Sequence, residues 1–352
     1  MERPRRSIPP AIRGAILIPE QKISVYVSVL NEVDSIDRLL ESMAGQTRPP
    51  SELLVIDGGS DDGTIERVER FRAAHANVRL MRFPGSSIAQ ARNLGFSSSA
   101  FDLVASIDAG CTADARWLES LASCLGPEVD IVSGVYGPDA KTLFERCVGD
   151  LMYPRVDLLP NDWAMPSHRS VLVRKRVWEA LGGFPPNLDR SEDTWFDLEA
   201  ARRGFRFRLA RNAMVYWRPR RNLVEVFRNT YRWTSSDVEH SIATEPSAQW
   251  RLALERLGGA IVPTGWCLSV VTTVAISPWL GLSSFLFLTI LMARPFRVVR
   301  RFRDENSVLP VVWKNLILLT NSAAWVLGYV HGLLRRTARA TRWRKRGEAP
   351  EV

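Results

Sequence analysis

Residues 53–64 read LLVIDGGSDDGT. Four apolar residues, Leu53 to Ile56, run directly into Asp57, two glycines, a serine and two further acids. A short apolar run bounded by turn residues suits a strand covered on both faces, as in a parallel sheet. A polar turn would account for the acids and glycines that follow. A ligand crevice would account for them equally, because open α/β sheets hold ligands outside the carboxyl ends of their strands. The flanking sequence has to choose.

Outward from this stretch, strand and helix patterns alternate. ISVYVSVL (23–30) is rich in β-branched residues and reads as a strand. In NEVDSIDRLLESMAGQ, Ile36, Leu39, Leu40 and Met43 share one helical face, and Gly45 stops the helix. DGTIERVERFRAAH is a second helix, VRLMRF a third strand, SIAQARNLGFSSS a third helix and FDLVASIDAG a fourth strand. This order predicts an α/β fold: a doubly wound, mostly parallel, Rossmann-like sheet with right-handed crossovers. Further along, DIVSGVYG reads as a strand, and RSVLVRKRVWEALGGF as a strand followed by a short helix closed by Gly182 and Gly183. SEDTWFDLEAARRGFRFRLA reads as a helix ending at Gly204 and then a strand. RNLVEVFRNTYRWTSSDVEHS places Leu223, Val226, Phe227 and Tyr231 on one face and arginines on the other. A helix of that kind lies on a membrane surface or caps a soluble domain.

The 352 residues, 46% of them hydrophobic, suit one large domain or two modest ones. The net charge of +9 points to an anionic partner. Acids and bases alternate in the first 110 residues, whereas arginines gather at 202–221, 294–303 and 335–346. The last two blocks flank the most apolar segments, which favours membrane lipids. No nucleic-acid module signature is present, and nucleic acid is not an expected partner. Cys111, Cys124, Cys147 and Cys267 lack metal-finger spacing and read as reduced thiols. Arg3, Arg5, Arg6 and Arg13 precede only a four-residue apolar run ending at Pro19, too short for a signal-peptide core. The expected domains are a basic segment at 1–20, a catalytic unit at 21–220, amphipathic interfacial helices at 221–256, a membrane region at 257–334 and a basic tail at 335–352. Within the membrane region, 257–277 carries no charge over a length that suffices to span, 278–293 is uncharged but short, and 308–334 carries Lys314 and Asn321. Two spans return the basic stretch 294–303 to the cytoplasm, as the positive-inside rule requires. A third full span would put the basic tail outside, so 308–334 is either re-entrant or interfacial, or the tail's charge is overruled. The expected location is the inner (plasma) membrane, multi-pass, with the catalytic domain cytoplasmic.

VSVLNE, LLVIDGGSDDGT, ARNLG, IDAG, LGGF and SEDTWFDLEAARRG follow one another across residues 23 to 217. Together they resemble family-2 glycosyltransferases, which have the nucleotide-binding fold called GT-A, here with C-terminal membrane segments like those of bacterial exopolysaccharide enzymes. The resemblance implies that Glu32 and Asp57 hold the base and ribose of a nucleotide sugar, with Gly58 and Gly59 admitting a close backbone approach. Carboxylates suit this because they accept from imide N–H groups and sugar hydroxyls. Asp61 and Asp62 read better as turn carboxylates. Arg92 is a donor-phosphate candidate, with a surface ion pair as the alternative. The family commonly carries Asp-x-Asp at a stretch that here reads Asp108-Ala109-Gly110, so the expected Mg²⁺ or Mn²⁺ rests on Asp108 without its second acid, although Asp114 is near in sequence. A histidine that serves as a metal-ligand candidate in some members is replaced by Trp217.

The same resemblance makes Asp193 the catalytic base, with Glu192 orienting it or binding the acceptor. The alternative is two acids placed at a helix start for its dipole. Position 199 is Glu where many members have Arg, which leaves the motif's supporting salt bridge in question. NTYRW (229–233) resembles the Gln-x-x-Arg-Trp motif of processive synthases, with Asn229 in place of Gln. Arg218, Arg232 and Trp233 are candidates for the acceptor or a phosphate, while Arg220 and Arg221 suit phosphate or lipid equally. His168 reads as a polar contact rather than a catalyst. The expected activity is inverting transfer of a hexose, UDP-linked by expectation, to a lipid-linked saccharide acceptor in exopolysaccharide or envelope glycan synthesis. The rivals are a polyprenyl-phosphate sugar synthase, a processive polysaccharide synthase and a non-enzymatic membrane scaffold with a decayed donor site.

Overall fold

The computed structural model describes residues 21–162, 166–188, 190–240 and 308–346. The expected basic N-terminal segment, the apolar segments 257–277 and 278–293 and the basic stretch 294–303 lie outside the described residues.

The opening stretch is indeed a strand between parallel neighbours. β1 (Ile23–Val29), β2 (Glu52–Asp57), β3 (Val78–Arg82) and β4 (Leu103–Ser106) pair in parallel in the order β3-β2-β1-β4. The crossovers are α1 (Ile36–Ala44), α2 (Thr64–Ala74) and α3 (Ile88–Ser98). Every residue of β2 is buried. Side chains alternate across a strand, so Leu53 and Val55 join Val25, Val27, Ile36 and Leu40 in one apolar layer. Leu54 and Ile56 join Tyr26, Phe96 and Phe184 in the layer on the other face. Each such side chain fully buried contributes roughly 1.5–3 kcal/mol.

The second half makes the sheet mixed. β5 (Cys111–Ala113), β6 (Ile131–Pro138), β7 (Val171–Arg174) and β8 (Phe207–Trp217) complete eight strands in the order β3-β2-β1-β4-β7-β6-β8-β5. β7 runs antiparallel to both β4 and β6, β6 and β8 are parallel, and β5 is antiparallel to β8. The helices between them are α4 (Trp117–Ser123), α5 (Leu143–Met152), α6 (Lys175–Leu181) and α7 (Glu192–Arg202).

Two of the sequence motifs meet in space. Gly183, in the left-handed turn that ends α6, sits where a Cβ would come within 2.6 Å of Asn93 Oδ1. Asn93, from the ARNLG motif on α3, accepts from Trp178 Nε1 at 2.9 Å and from the Phe184 amide at 2.8 Å, and donates to the Phe184 carbonyl at 2.8 Å. One amide side chain therefore clamps LGGF onto α3. α3 in turn lies close on the sheet, because a Cβ at Gly95 would approach the Tyr26 ring to 2.6 Å.

α8 (Leu223–His240) and α9 (Val308–Arg346) pack along one another outside the sheet. The residues of α8 buried there are Val226, Thr230, Thr234, Ser235 and Val238, and of the face that periodicity marks, Val226 is buried, Leu223 packs beside it and Tyr231 meets His331 of α9. Gly328 and Gly332 of α9 make the close approach possible: a Cβ on them would lie 2.6 Å from the Tyr231 carbonyl and 2.7 Å from the Ser235 carbonyl. Small residues four apart let two helix backbones touch. Thr230 donates to Asn321 at 2.7 Å, and buried Lys314 pairs with Asp150 of α5 at 2.7 Å. Among the described residues one segment, Val312–Arg339 within α9, is long and apolar enough to cross a membrane.

Candidate active site

The acids named from sequence collect at the carboxyl ends of β1, β2 and β4. Asp57 ends β2, and its side chain has no exposure. Its Oδ2 accepts the Gly59 amide at 3.1 Å, its Oδ1 accepts the Ser60 amide at 3.0 Å, and Arg82 Nε lies 3.5 Å away. Asp57 therefore braces its own turn, in which Gly59 holds φ +107. Gly58 donates to the Val29 carbonyl at 2.9 Å and has φ outside the left-handed region. Asp62 is a turn carboxylate, accepting from the amides of Thr64 and Val33. Ser60 Oγ accepts from the Asn31 amide at 2.9 Å, and Asn31 Oδ1 accepts from the Asp61 amide at 3.0 Å, so the loops after β1 and β2 are stitched together. Asn31 holds φ 55, a left-handed value that costs a non-glycine residue energy and that clusters at functional sites. Beside it, Glu32 accepts from the Ser35 hydroxyl, and burial holds its carboxyl above the ordinary glutamate range.

Arg92 joins this group to α7 from below. Its side chain is 5% exposed. Its Nη2 lies 3.5 Å from Asp108 Oδ1, and its Nε lies 3.0 Å from Glu192 Oε1. Burial opposes the charge on Arg92, but Tyr26, Glu192 and Asp108 outweigh it and raise the guanidinium's pKa. Burial, reinforced by the charge of Asp193, pushes the Glu192 carboxyl up to about 7 against the pull of Arg92. The other oxygen of Asp108 faces Arg169, whose Nε lies 3.5 Å from Oδ2.

Ser191, just before the acid pair, also holds a left-handed φ of 62, and its hydroxyl is bonded to Asp237 of α8. Ser236 Oγ donates to the Arg190 carbonyl at 3.3 Å. α8 thus grips the chain where α7 begins and presents Asp193 to a cavity of about 280 Å³. Tyr136, Arg169, Thr194, Trp233 and Asp237 also line it. Burial pushes the Asp237 carboxyl up to about 6. His168 is buried, with Nε2 3.2 Å from Asp197 Oδ1 and its ring set edge-on to Phe184 and Phe196. Burial drives its pKa well down and that of Asp197 well up, so each is held towards its neutral form.

Glu32, Asp57, Arg92, Asp108, Glu192 and Asp193 thus belong to one connected region, and Trp233 shares the cavity with Asp193. Two residues named from sequence stand elsewhere. Arg218 pairs with buried Glu145 at 2.8 Å, and that glutamate caps α5 together with Thr142. Arg232 is exposed and does not line the cavity. Glu192 faces Arg92 rather than the cavity, which favours an orienting role over acceptor contact. Glu199 pairs within its own helix with Arg202 and Arg203. Asp114 is committed to the Arg116 amide at the start of α4.

The chain matches the glycosyl transferase family 2 profile over residues 24–147 and the profile described as glycosyl transferase family group 2 over residues 103–300, which is more than half of its length. The chain belongs to glycosyltransferase family 2. It is 30% identical over 229 residues to glycosyltransferase AglE of Haloferax volcanii, covering 62% of this chain and 73% of that one. It is 24% identical over 193 residues to the putative glycosyltransferase EpsH of Bacillus subtilis, covering 51% of this chain and 55% of that one. Among solved structures it resembles a mannosyltransferase of Pyrobaculum calidifontis determined with GDP-mannose and Mn²⁺, with TM-score 0.55 and 18% identity, over 89% of this chain and 87% of that one. That likeness is one of fold, and the fold is GT-A. The protein is a glycosyltransferase.

As a metal site, this glycosyltransferase offers one carboxylate, Asp108, with a guanidinium near each oxygen. Among the described residues no three His, Cys, Asp or Glu side chains cluster as ligands. A hard cation that keeps its waters and shares substrate phosphates fits one carboxylate; a closed protein cage does not form. Arg169 and Asp237 are the residues sequence reading missed. Neither sits in a recognisable motif, and only the fold brings them to Asp193. The Ser87–Gln90 capping box that starts α3 carries a readable signal, S-x-x-Q, in SIAQ.

Proposed function

We propose that the protein transfers a hexose, with inversion, from a nucleotide sugar to a lipid-linked saccharide at the cytoplasmic face of the inner membrane, in exopolysaccharide or envelope glycan synthesis. The observation that carries this reading is the placement of Asp193. It opens α7 at the edge of a cavity that also holds Arg169, while Arg169 reaches Asp108 at the end of the donor-side strands. The cavity, about 280 Å³, is at the small end of ligand pockets and suits one sugar ring rather than a polymer. A sugar hydroxyl is a weak nucleophile at neutral pH, so a carboxylate takes its proton as the new bond forms opposite the leaving diphosphate. Asp193 is that carboxylate. Glu192, tied to Arg92, positions it. Glu32 and Asp57 serve the nucleoside, and Asp57 does so by fixing the turn that the nucleoside meets. Mg²⁺ or Mn²⁺, held by Asp108 together with the donor's own phosphates, would neutralise charge on the diphosphate. The donor expected is UDP-linked.

The test is transfer from radiolabelled nucleotide sugars by membranes containing Asp193→Asn. Nucleotide binding is retained and transfer falls by at least about 10²-fold, the lower figure for loss of a general base. Near wild-type transfer by this variant would make the acid pair structural. A single-sugar product separates this reading from a processive synthase, and stability of the product to mild acid separates it from a polyprenyl-phosphate sugar synthase.

A further inference from the structure

Arg169 is more firmly fixed than a surface arginine. The residues on either side of it, His168 and Ser170, are fully buried. The His168 carbonyl accepts from Ser106 Oγ at 2.7 Å, and the Ser170 carbonyl accepts from the Gly134 amide at 2.8 Å. Ser170 Oγ accepts from Trp117 Nε1 at 2.9 Å and donates to the Ala213 carbonyl at 3.1 Å. Three strands thus hold the backbone that carries Arg169. Its guanidinium lies 4.3 Å from the centre of the Trp217 ring and 5.5 Å from that of Tyr136, and Nη1 donates to Ser167 Oγ at 2.7 Å.

A second guanidinium shares the same indole. Arg220 lies 4.8 Å from the Trp217 centroid, and its Nη2 donates to the neutral amide oxygen of Asn229 at 2.9 Å. Burial, and after it the charge of Arg169, lowers the Arg220 pKa. Two cations mounted on one ring repel each other. Among the described residues, Asp108, between Arg92 and Arg169, is the carboxylate within ion-pair distance of this group, and it is shared, while Asp193 and Glu225 act on it from further away. Trp217 also lies against the Asp108-Ala109-Gly110 turn: a Cβ at Gly110 would be in ordinary contact with Trp217 Nε1, at 3.6 Å. Pre-organised positive charge that the protein's own acids do not balance is an anion site. Guanidinium forks match phosphate oxygens in geometry.

We propose that Arg169 and Arg220, mounted on Trp217 beside Asp108, form the cradle for the donor's diphosphate and stabilise it as it leaves. This deepens the nucleotide-sugar reading above and rests on it. The cradle puts fixed positive charge at the leaving group, where negative charge grows as the glycosidic bond to the donor breaks. It acts with or without a cation on Asp108, which the missing second acid leaves with a single protein carboxylate.

Calorimetry on the full-length protein in detergent tests this with three probes: UDP, GDP and inorganic pyrophosphate, each with Mn²⁺ and again in EDTA. Pyrophosphate carries no base or ribose, so it reports on the cradle even where the nucleoside assignment is wrong. Wild type binds pyrophosphate in EDTA. Arg169→Gln weakens it by about tenfold or more, the scale of one charge-assisted hydrogen bond. Arg169→Lys recovers part of the loss, and Trp217→Ala weakens binding while Trp217→Phe largely keeps it. Arg116→Gln removes an equal charge from a side chain 70% exposed just before α4 and leaves binding unchanged. Thermal melts of each variant show that the fold is intact. No pyrophosphate binding by folded wild type, or equal binding by wild type and folded Arg169→Gln, overturns the cradle. Pyrophosphate binding that depends on Arg169, with no added affinity for UDP or GDP, keeps the cradle and removes the nucleoside reading instead.

Discussion

At the scale of single residues, the site turns on how buried charges are paired. Glu192 is held up to about 7, first by burial and then by Asp193. Below that pH it is neutral, and the ion pair with Arg92 through which it positions Asp193 is lost. Above it, Glu192 is anionic and takes up Arg92. The transfer rate therefore rises with pH through a midpoint of about 7. Glu192→Gln is locked in the neutral condition, so its pH–rate profile lacks that limb and stays at the low-pH level; a wild-type limb retained in this variant would remove Glu192 from the titration. Gly95 supplies a second residue-scale expectation. Alanine within a helix normally stabilises by roughly 0.5–1 kcal/mol over glycine. Here the new Cβ would meet the buried Tyr26 ring at 2.6 Å, and overpacking of that kind costs about 1–3 kcal/mol. Gly95→Ala is therefore destabilising, which thermal melting of the variant reads directly.

At the scale of elements, the junction that matters is α8 against α9. The spacing of Gly328 and Gly332 matches that of Tyr231 and Ser235, whose carbonyls they approach. Gly332→Val forces the helices apart, because the obstacle is backbone and cannot rotate away. The expected result is a lower melting temperature together with faster proteolysis of α9. Because α8 bonds Ser191 through Asp237 and the Arg190 carbonyl through Ser236, loosening α8 also disturbs the strained start of α7. Transfer is then expected to be lost. Full activity in a variant whose α9 is readily cleaved would show that α7 holds its own geometry.

At the scale of the whole molecule, α9 is tied to α5 towards one end and to α8 towards the other. Lys314 reaches Asp150 at 2.7 Å, while Arg335 and Arg339 reach Glu239 at 3.5 and 3.1 Å. Its exposed apolar side chains, Leu309, Val312, Leu316, Leu327, Val330 and Leu334, form a stripe facing away from those contacts. A helix pinned in this way suits lying at the interface better than crossing it, and on the membrane-associated reading proposed above the positive-inside rule then puts the basic tail on the cytoplasmic side. Reporter fusions at residues 300 and 350 are therefore expected to read the same, cytoplasmic, side. Opposite readings would establish a full span.

By itself the sequence determined the parallel half of the sheet, its order of strands and helices, and the acids at the strand ends. Those features follow from local periodicity: alternation along a strand and the 3.6-residue turn of a helix are written within a few residues of each other. It also marked the ARNLG and LGGF stretches, though not that Asn93 binds one to the other. Tertiary structure alone decided the antiparallel insertion of β7 between β4 and β6, the assignment of Arg218 to Glu145, and the meeting of Arg169 with Trp217 and Asp108. The physical reason is the same in each case. A guanidinium can satisfy itself on any carboxylate or aromatic face, and a strand on any open edge. The choice among partners dozens of residues apart is made by what the packed core leaves within reach, and no short pattern records it.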